Sequence, residues 1–358
     1  MTSAKAPLLP GRLGNPDMIL QTDPRADPRM LAAMAPIGLD VQQEPLPFDH
    51  TAPMEMLHEY CNVSEAGFGE LGGVLVGALA PVAGVTSTVQ VIRGTDNNDI
   101  TLFIHRPTNV EGSIPGILHL HGGGMVILEA ASAGYTRWRD ELAATGMVVV
   151  GVEFRNGGGK LGPHPFPAGL NDCSAALQWV TENRANLGIS KLVVSGESGG
   201  GNLTLATALK AKADGKTSQI DGVYAQCPYI SGVYADPDPN LTSLFENDNY
   251  FLSCSQMAIM AKVYDPSGEH AKNLLAWPYH ATVDDLKGLP PHVISVNQLD
   301  PLRDEGIAYF RKLAEAGVSA VSRTVNGTCH AGDCLFREAM PDVYLSTIRD
   351  IKSFAASL

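Results

Sequence analysis

The sequence predicts an α/β chain built on a mostly parallel sheet, and three observations carry that. From Gly116 to the C-terminus, short apolar runs alternate with helical patterns of ten or more residues. Glycine closes most of those helical patterns, at Gly146, Gly188, Gly215 and Gly317. The central runs, Met147–Phe154 above all, are apolar throughout rather than alternating, as expected of strands covered on both faces.

Taken in order, residues 1 to about 85 are rich in Pro, Met and Ala and show no strand alternation; Arg29–Met34 and Pro53–Tyr60 read as short helices. Ser87–Arg93 and Asp99–His105 are β-branched runs separated by the turn cluster Thr95-Asp96-Asn97-Asn98, which predicts an antiparallel hairpin. Strands follow at Gly116–Leu120, Met147–Phe154, Lys191–Ser195, Asp221–Gln226, Val293–Asn297 and Ala320–Val325. Helices are expected at Trp138–Thr145, Asn171–Leu187, Asn202–Ala213, Arg303–Ala316 and Val343–Ala356. Between Ile230 and His292 no strand intervenes; the stretch holds the loop signature Asp236-Pro237-Asp238-Pro239 and a helical Ser255–Tyr264. A strand-free insertion of that length in an α/β chain reads as a cap, placed here with the N-terminal residues over one edge of the sheet. The division expected is an N-terminal segment 1–85 contributing to the cap, a first core part 86–230, the cap insertion 231–290, and a second core part 291–358.

Composition narrows the function classes. In 358 residues, 44% are apolar types, enough for a large buried core. Twenty-five basic against 38 acidic residues leave a net charge of −13, which argues against a nucleic-acid partner and against stable association with an anionic membrane. The longest apolar stretch, Leu71–Val85, is shorter than the ~18–20 residues of a membrane span and is interrupted by Gly and Pro81. It is expected to be buried, with a membrane-surface anchor as the alternative. No secretory signal is visible at the N-terminus. The six cysteines contain no C-x-x-C pair, so reduced thiols in the cytoplasm are expected, with no metal and no cofactor.

The chemistry-bearing motifs come in one order. Gly196-Glu197-Ser198-Gly199-Gly200 fits G-x-S-x-G, and it stands where that pattern needs to stand, between the strand ending at Ser195 and the helix from Asn202. A serine on such a bend is exposed above the sheet, with helix N–H groups behind it. The competing reading is a glycine-rich turn that binds phosphate or only packs. His121-Gly122-Gly123-Gly124 follows a strand and frees backbone N–H groups for an oxyanion; the donors assigned are Gly123, Gly124 and Gly199. His121 is expected to orient that loop, and His119, on the opposite side of its strand, to be core. Asp300, just past Val293–Asn297, is the candidate acid, with Asp304 as runner-up, expected to face solvent in the first turn of the next helix. His330, on the loop after the last strand, is the only histidine beyond Asp300 and the candidate base. Nucleophile, acid, base is the chain order of an α/β hydrolase.

On these residues, together with Asp300-Pro301-Leu302-Arg303-Asp304-Glu305, the chain resembles the hormone-sensitive-lipase-like carboxylesterases over roughly residues 85–358. The resemblance implies the α/β-hydrolase fold, a mostly parallel central sheet with helices on both faces and a helical cap. It also implies ester hydrolysis by a Ser198/Asp300/His330 triad, without cofactor or metal. The chain departs from much of the family in having Gly199 where alanine is common, and in the run Ala331-Gly332-Asp333-Cys334 after the histidine. Cys329 and Cys334 flank His330, either as core packing or as a source of thiol sensitivity. The partner expected is a small-molecule ester. An amidase or lactonase on the same triad, and a non-catalytic receptor-like member of the fold, are the alternatives; pairing of two copies into a homodimer is left open.

Overall fold

A computed structural model describes residues 9–358. Eight strands form one sheet in the order β1-β2-β4-β3-β5-β6-β7-β8: β1 Val85–Arg93, β2 Asp99–Pro107, β3 Ile114–Leu120, β4 Val148–Glu153, β5 Ile189–Glu197, β6 Gly222–Gln226, β7 His292–Asn297 and β8 Ala320–Val325. β1 and β2 are the expected hairpin, β2 is also antiparallel to β4, and every other pairing is parallel. The eight predicted strands are therefore all present.

The eight longer helices are α1 Pro28–Met34, α2 Met54–Gly77, α3 Ala133–Ala144, α4 Ala168–Glu182, α5 Gly199–Ala213, α6 Cys254–Tyr264, α7 Arg303–Glu315 and α8 Pro341–Ser357. Alternation along the central strands sorts them onto two faces. Val193 of β5 and Val149 of β4 join Trp138 and Leu142 of α3 and Ile348 and Ile351 of α8 in one apolar cluster. Their neighbours Leu192, Val194, Val148 and Val150 point the other way, into a larger cluster with α4, α5 and α7. A strand buried on both sides in this manner has no polar face to show, hence its unbroken apolar run.

Several boundaries differ from the sequence reading by a few residues, and two of the differences have identifiable reasons. α5 starts at Gly199, not Asn202: its first turn is Gly199-Gly200-Gly201, whose poor intrinsic propensity hides the helix. The helix expected over 53–60 runs on to Gly77 through four glycines, because its apolar side lies across other elements, and packing outweighs propensity. That overturns the expected burial of Leu71–Val85. No residue from 71 to 85 is buried, and Val74 is 65% exposed. No described helix is long and apolar enough to cross a membrane.

The N-terminal segment and the insertion lie across the C-terminal ends of the parallel strands rather than over a sheet edge. Met260 of α6 reaches the Gly124 loop after β3. Leu20, Met30 and Met34 are buried with Tyr250 and Phe251 of the insertion, with Leu299 after β7 and with Cys329 after β8; Phe68, Leu71 and Leu75 of α2 pack against the same cluster.

Candidate active site

The turn from β5 into α5 holds Ser198 at φ 58°, ψ −120°, a left-handed conformation that costs a non-glycine residue roughly 1–3 kcal/mol. Its neighbours enforce the bend. A Cβ on Gly196 would lie 2.3 Å from the Leu120 carbonyl oxygen, and one on Gly200 1.9 Å from the same atom. Only glycine at both positions lets the turn pack against the end of β3. The Ser198 N–H donates to the Gln226 carbonyl at 3.0 Å and its carbonyl accepts from Tyr229 N–H at 3.1 Å, so the strained residue is held on both sides. Its half-buried hydroxyl has no hydrogen-bond partner among the described residues and lines a cavity of about 170 Å³ that His330 also lines.

Asp300 is fully buried and His330 nearly so. His330 Nδ1 and Asp300 Oδ2 are 2.8 Å apart. The other Asp300 oxygen accepts from Leu302 N–H at 2.9 Å, which fixes the carboxylate plane. The Asn247 amide, from the insertion, donates to the Asp300 carbonyl at 3.1 Å. Asp304 is elsewhere. It does not face solvent as expected: Oδ2 accepts from Thr242 Oγ1 and Ser243 N–H, both at 2.8 Å, and ties the insertion to α7.

The loop after β3 brings Gly123 and Gly124 to the same cavity, at φ 100° and 63°. The Gly199 Cα passes close to it; a Cβ there would be 2.5 Å from both Gly124 N and Met125 N. Among the described residues, no acceptor takes the N–H of Gly123, Gly124 or Gly199. Unpaired backbone donors are rare away from water, and Gly123 and Gly124 line the same cavity as Ser198.

His121 stacks on Phe154 with ring centres 4.1 Å apart, and its Nδ1 is 2.8 Å from the Gly122 carbonyl. Burial pushes it down to about 3, so the ring is neutral and its Nδ1–H donates to that carbonyl. His119 is buried as expected, but in a polar network: its Nε2 is 3.1 Å from Glu197 Oε2. Glu197 Oε1 accepts from Gly122 N–H at 3.0 Å. The residue before the serine thus clips the glycine loop to the elbow. G-x-S-x-G leaves that position free, and the sequence reading passed over it. Glu305 was likewise passed over. Its carboxylate accepts from Ile230 N–H at 2.6 Å, Ser231 Oγ at 2.6 Å and Tyr234 OH at 2.8 Å, where the insertion leaves the sheet. Burial pushes it up to about 7, against those donors.

Cys227, Asp300 and His330 are the one group of metal-ligand types that converges among the described residues. His330 and Asp300 already satisfy each other, and burial pushes the Cys227 thiol well up, so the set suits hydrogen bonding and packing better than a cation. Cys329 is fully buried and Cys334 half-buried at the cavity wall, and burial raises both thiols well above their ordinary range.

A strained serine at a strand–helix turn above a mostly parallel sheet thus shares its cavity with the histidine of a buried His–Asp pair. Residues 117–332, more than half of the chain, match the α/β hydrolase fold family, and the chain belongs to it, as a carboxylic ester hydrolase of the hormone-sensitive-lipase-like kind. Among solved structures it is similar to brefeldin A esterase, a bacterial homologue of human hormone-sensitive lipase. Identity there is 46%, with a TM-score of 0.95, over 98% of this chain and 99% of that one. The esterase Est22 is similar at 35% identity and TM-score 0.83, over 94% of this chain and 99% of that one. An arylesterase of Saccharolobus solfataricus is 33% identical over 221 residues, 60% of this chain and 67% of that protein.

Proposed function

We propose that the chain hydrolyses a carboxylic ester through an acyl-enzyme on Ser198. Neutral His330 takes the Ser198 proton as Oγ attacks the ester carbonyl carbon, and the carbonyl π pair moves onto oxygen. Asp300 holds the Nδ1–H tautomer and stabilises the imidazolium. The N–H groups of Gly123, Gly124 and Gly199 receive the oxyanion, and one such donor is typically worth ~10²–10³ in rate. The tetrahedral intermediate collapses, His330 protonates the leaving alcohol, and water repeats the sequence to release the acid. The observation that carries the proposal is that His330, 2.8 Å from buried Asp300, lines the same cavity as the strained, unpartnered Ser198. No cofactor enters any step.

The substrate is a small molecule with an apolar body, since Phe68, Leu71, Leu252, Met257 and Met260 line the cavity. A short-to-medium acyl ester fits that lining, and a compound of the brefeldin A type is a further candidate by similarity to the esterase of that name. Six unpaired cysteines suit a reducing compartment, and the cytoplasm is the location proposed. The test is Ser198→Ala with an activated aryl ester and an organophosphate. The wild type should give a burst of alcohol and a covalent adduct on Ser198, and the variant neither. A full burst from the variant rejects the assignment.

A further inference from the structure

The cavity is uneven in its chemistry. α2 and the insertion contribute apolar side chains to its wall, and two arginines, Arg137 of α3 and Arg337, line it as well. Both lean on a single carboxylate, Glu141, which is not part of the wall. All three nitrogens of Arg137 are engaged: Nε donates to Glu141 at 2.6 Å, Nη2 pairs with the same carboxylate at 2.5 Å, and Nη1 donates to the Ala80 carbonyl. Arg337 is not. Its Nε donates to the two Glu141 oxygens at 3.1 and 2.9 Å, and its guanidinium lies over the Tyr344 ring, 5.4 Å from the centre. Its Nη1 and Nη2 donate to no described residue, and the side chain is only 23% exposed.

Two guanidiniums share the one carboxylate of Glu141 beside this cavity; the carboxylate that lines the cavity itself, Glu197, is already taken by Gly122 N–H and His119. Four N–H bonds in the planar fork of Arg337 remain free, and that fork matches a carboxylate. Resting on the esterase reading of the same cavity, we propose that Arg337 is a subsite for a carboxylate. The preferred substrates are then hemiesters: an apolar body with the scissile ester near Ser198 and a free carboxylate at the far end.

The test uses two matched pairs, because the carboxylate can sit on either arm. One pair is mono-p-nitrophenyl adipate and its methyl ester; the other is 4-(butyryloxy)benzoate and its methyl ester. The quantity read is the ratio of kcat/KM for the anionic over the neutral member. In at least one pair, Arg337→Met should lower that ratio about tenfold, the worth of one charged hydrogen bond. Arg337→Lys, which keeps the charge and loses the fork, should fall between. Glu141→Gln should move the ratio the other way, and added salt should compress it in the wild type. The Lys and Gln variants keep the test decisive if the Met variant does not fold. A ratio that stays within twofold across the variants in both pairs overturns the subsite. Loss of all neutral-ester hydrolysis and of Ser198 labelling in the wild type would instead overturn the esterase reading itself.

Discussion

Glu197 offers the sharpest test of how the glycine loop is held. Its two oxygens accept from Gly122 N–H at 3.0 Å and face His119 Nε2 at 3.1 Å, and the side chain is almost wholly out of water. Truncation by Glu197→Ala orphans both partners in a buried place, at about 1–3 kcal/mol each. The loop then has reason to leave the elbow, and with it go the Gly123 and Gly124 donors. One lost oxyanion donor corresponds to a fall of roughly 10²–10³ in kcat. Glu197→Gln keeps an acceptor for Gly122 and a second group for His119 but loses the charge. A charged hydrogen bond exceeds a neutral one by about 1 kcal/mol, so the expected fall is about fivefold. The assay is steady-state hydrolysis of p-nitrophenyl butyrate at 25 °C, with a thermal melt run alongside to establish that each variant is folded. The signature of a loop effect is a graded loss in kcat with KM little changed. If folded Glu197→Ala keeps kcat within twofold of the wild type, the clip does not position the oxyanion donors and the reasoning fails.

Two further outcomes follow from buried groups. Glu305 is pushed from its ordinary 4.5 up to about 7 by burial. The fold therefore binds its proton more tightly than the unfolded chain does. The stability this contributes is complete below pH 4.5 and is lost as pH rises through about 7, an interval worth on the order of 3 kcal/mol. Glu305→Gln should flatten the dependence of Tm on pH between those limits, and an unchanged slope would refute the role. The thiols of Cys227, Cys329 and Cys334 are all raised by burial and hold little thiolate near neutrality. Iodoacetamide at pH 8 should therefore leave activity intact over an hour, and a time-dependent loss abolished by Cys334→Ser would show the cavity-wall thiol to be reactive.

How much of this was legible in the sequence depended on whether the signal was local. Ser198 and Asp300 each follow a strand that announces itself by an apolar run, His330 follows a shorter β-branched one, and glycine or proline marks each turn, so the places of all three at strand ends were readable from order alone. Glu197 and Glu305 were not, because a buried carboxylate looks like any other charge until its donors are known, and those come from residues 75 positions away. The length of α2 was hidden by Gly67, Gly69, Gly72 and Gly73, none of which has anything within 4 Å of an added Cβ. They are not demanded by close packing, so helix propensity gave a fair local warning and tertiary contact overruled it. Asp304 was misplaced for the same reason: an acidic residue in a first helical turn normally meets water, and here Thr242 and Ser243 reach it first.

The seat of Met30 and Met34 sets the timetable on which this molecule can become itself. Both are fully buried, against Leu299, Cys329, Phe336 and Met340, and Asp27 N–H closes on the Gly327 carbonyl at 2.9 Å. A ribosome makes those two methionines some three hundred residues before it makes what shelters them. Through most of synthesis they are oily and homeless, a natural handhold for chaperones, and the loops bearing Asp300 and His330 cannot be braced until they dock. The site thus waits for the stretch through Met340 to leave the tunnel.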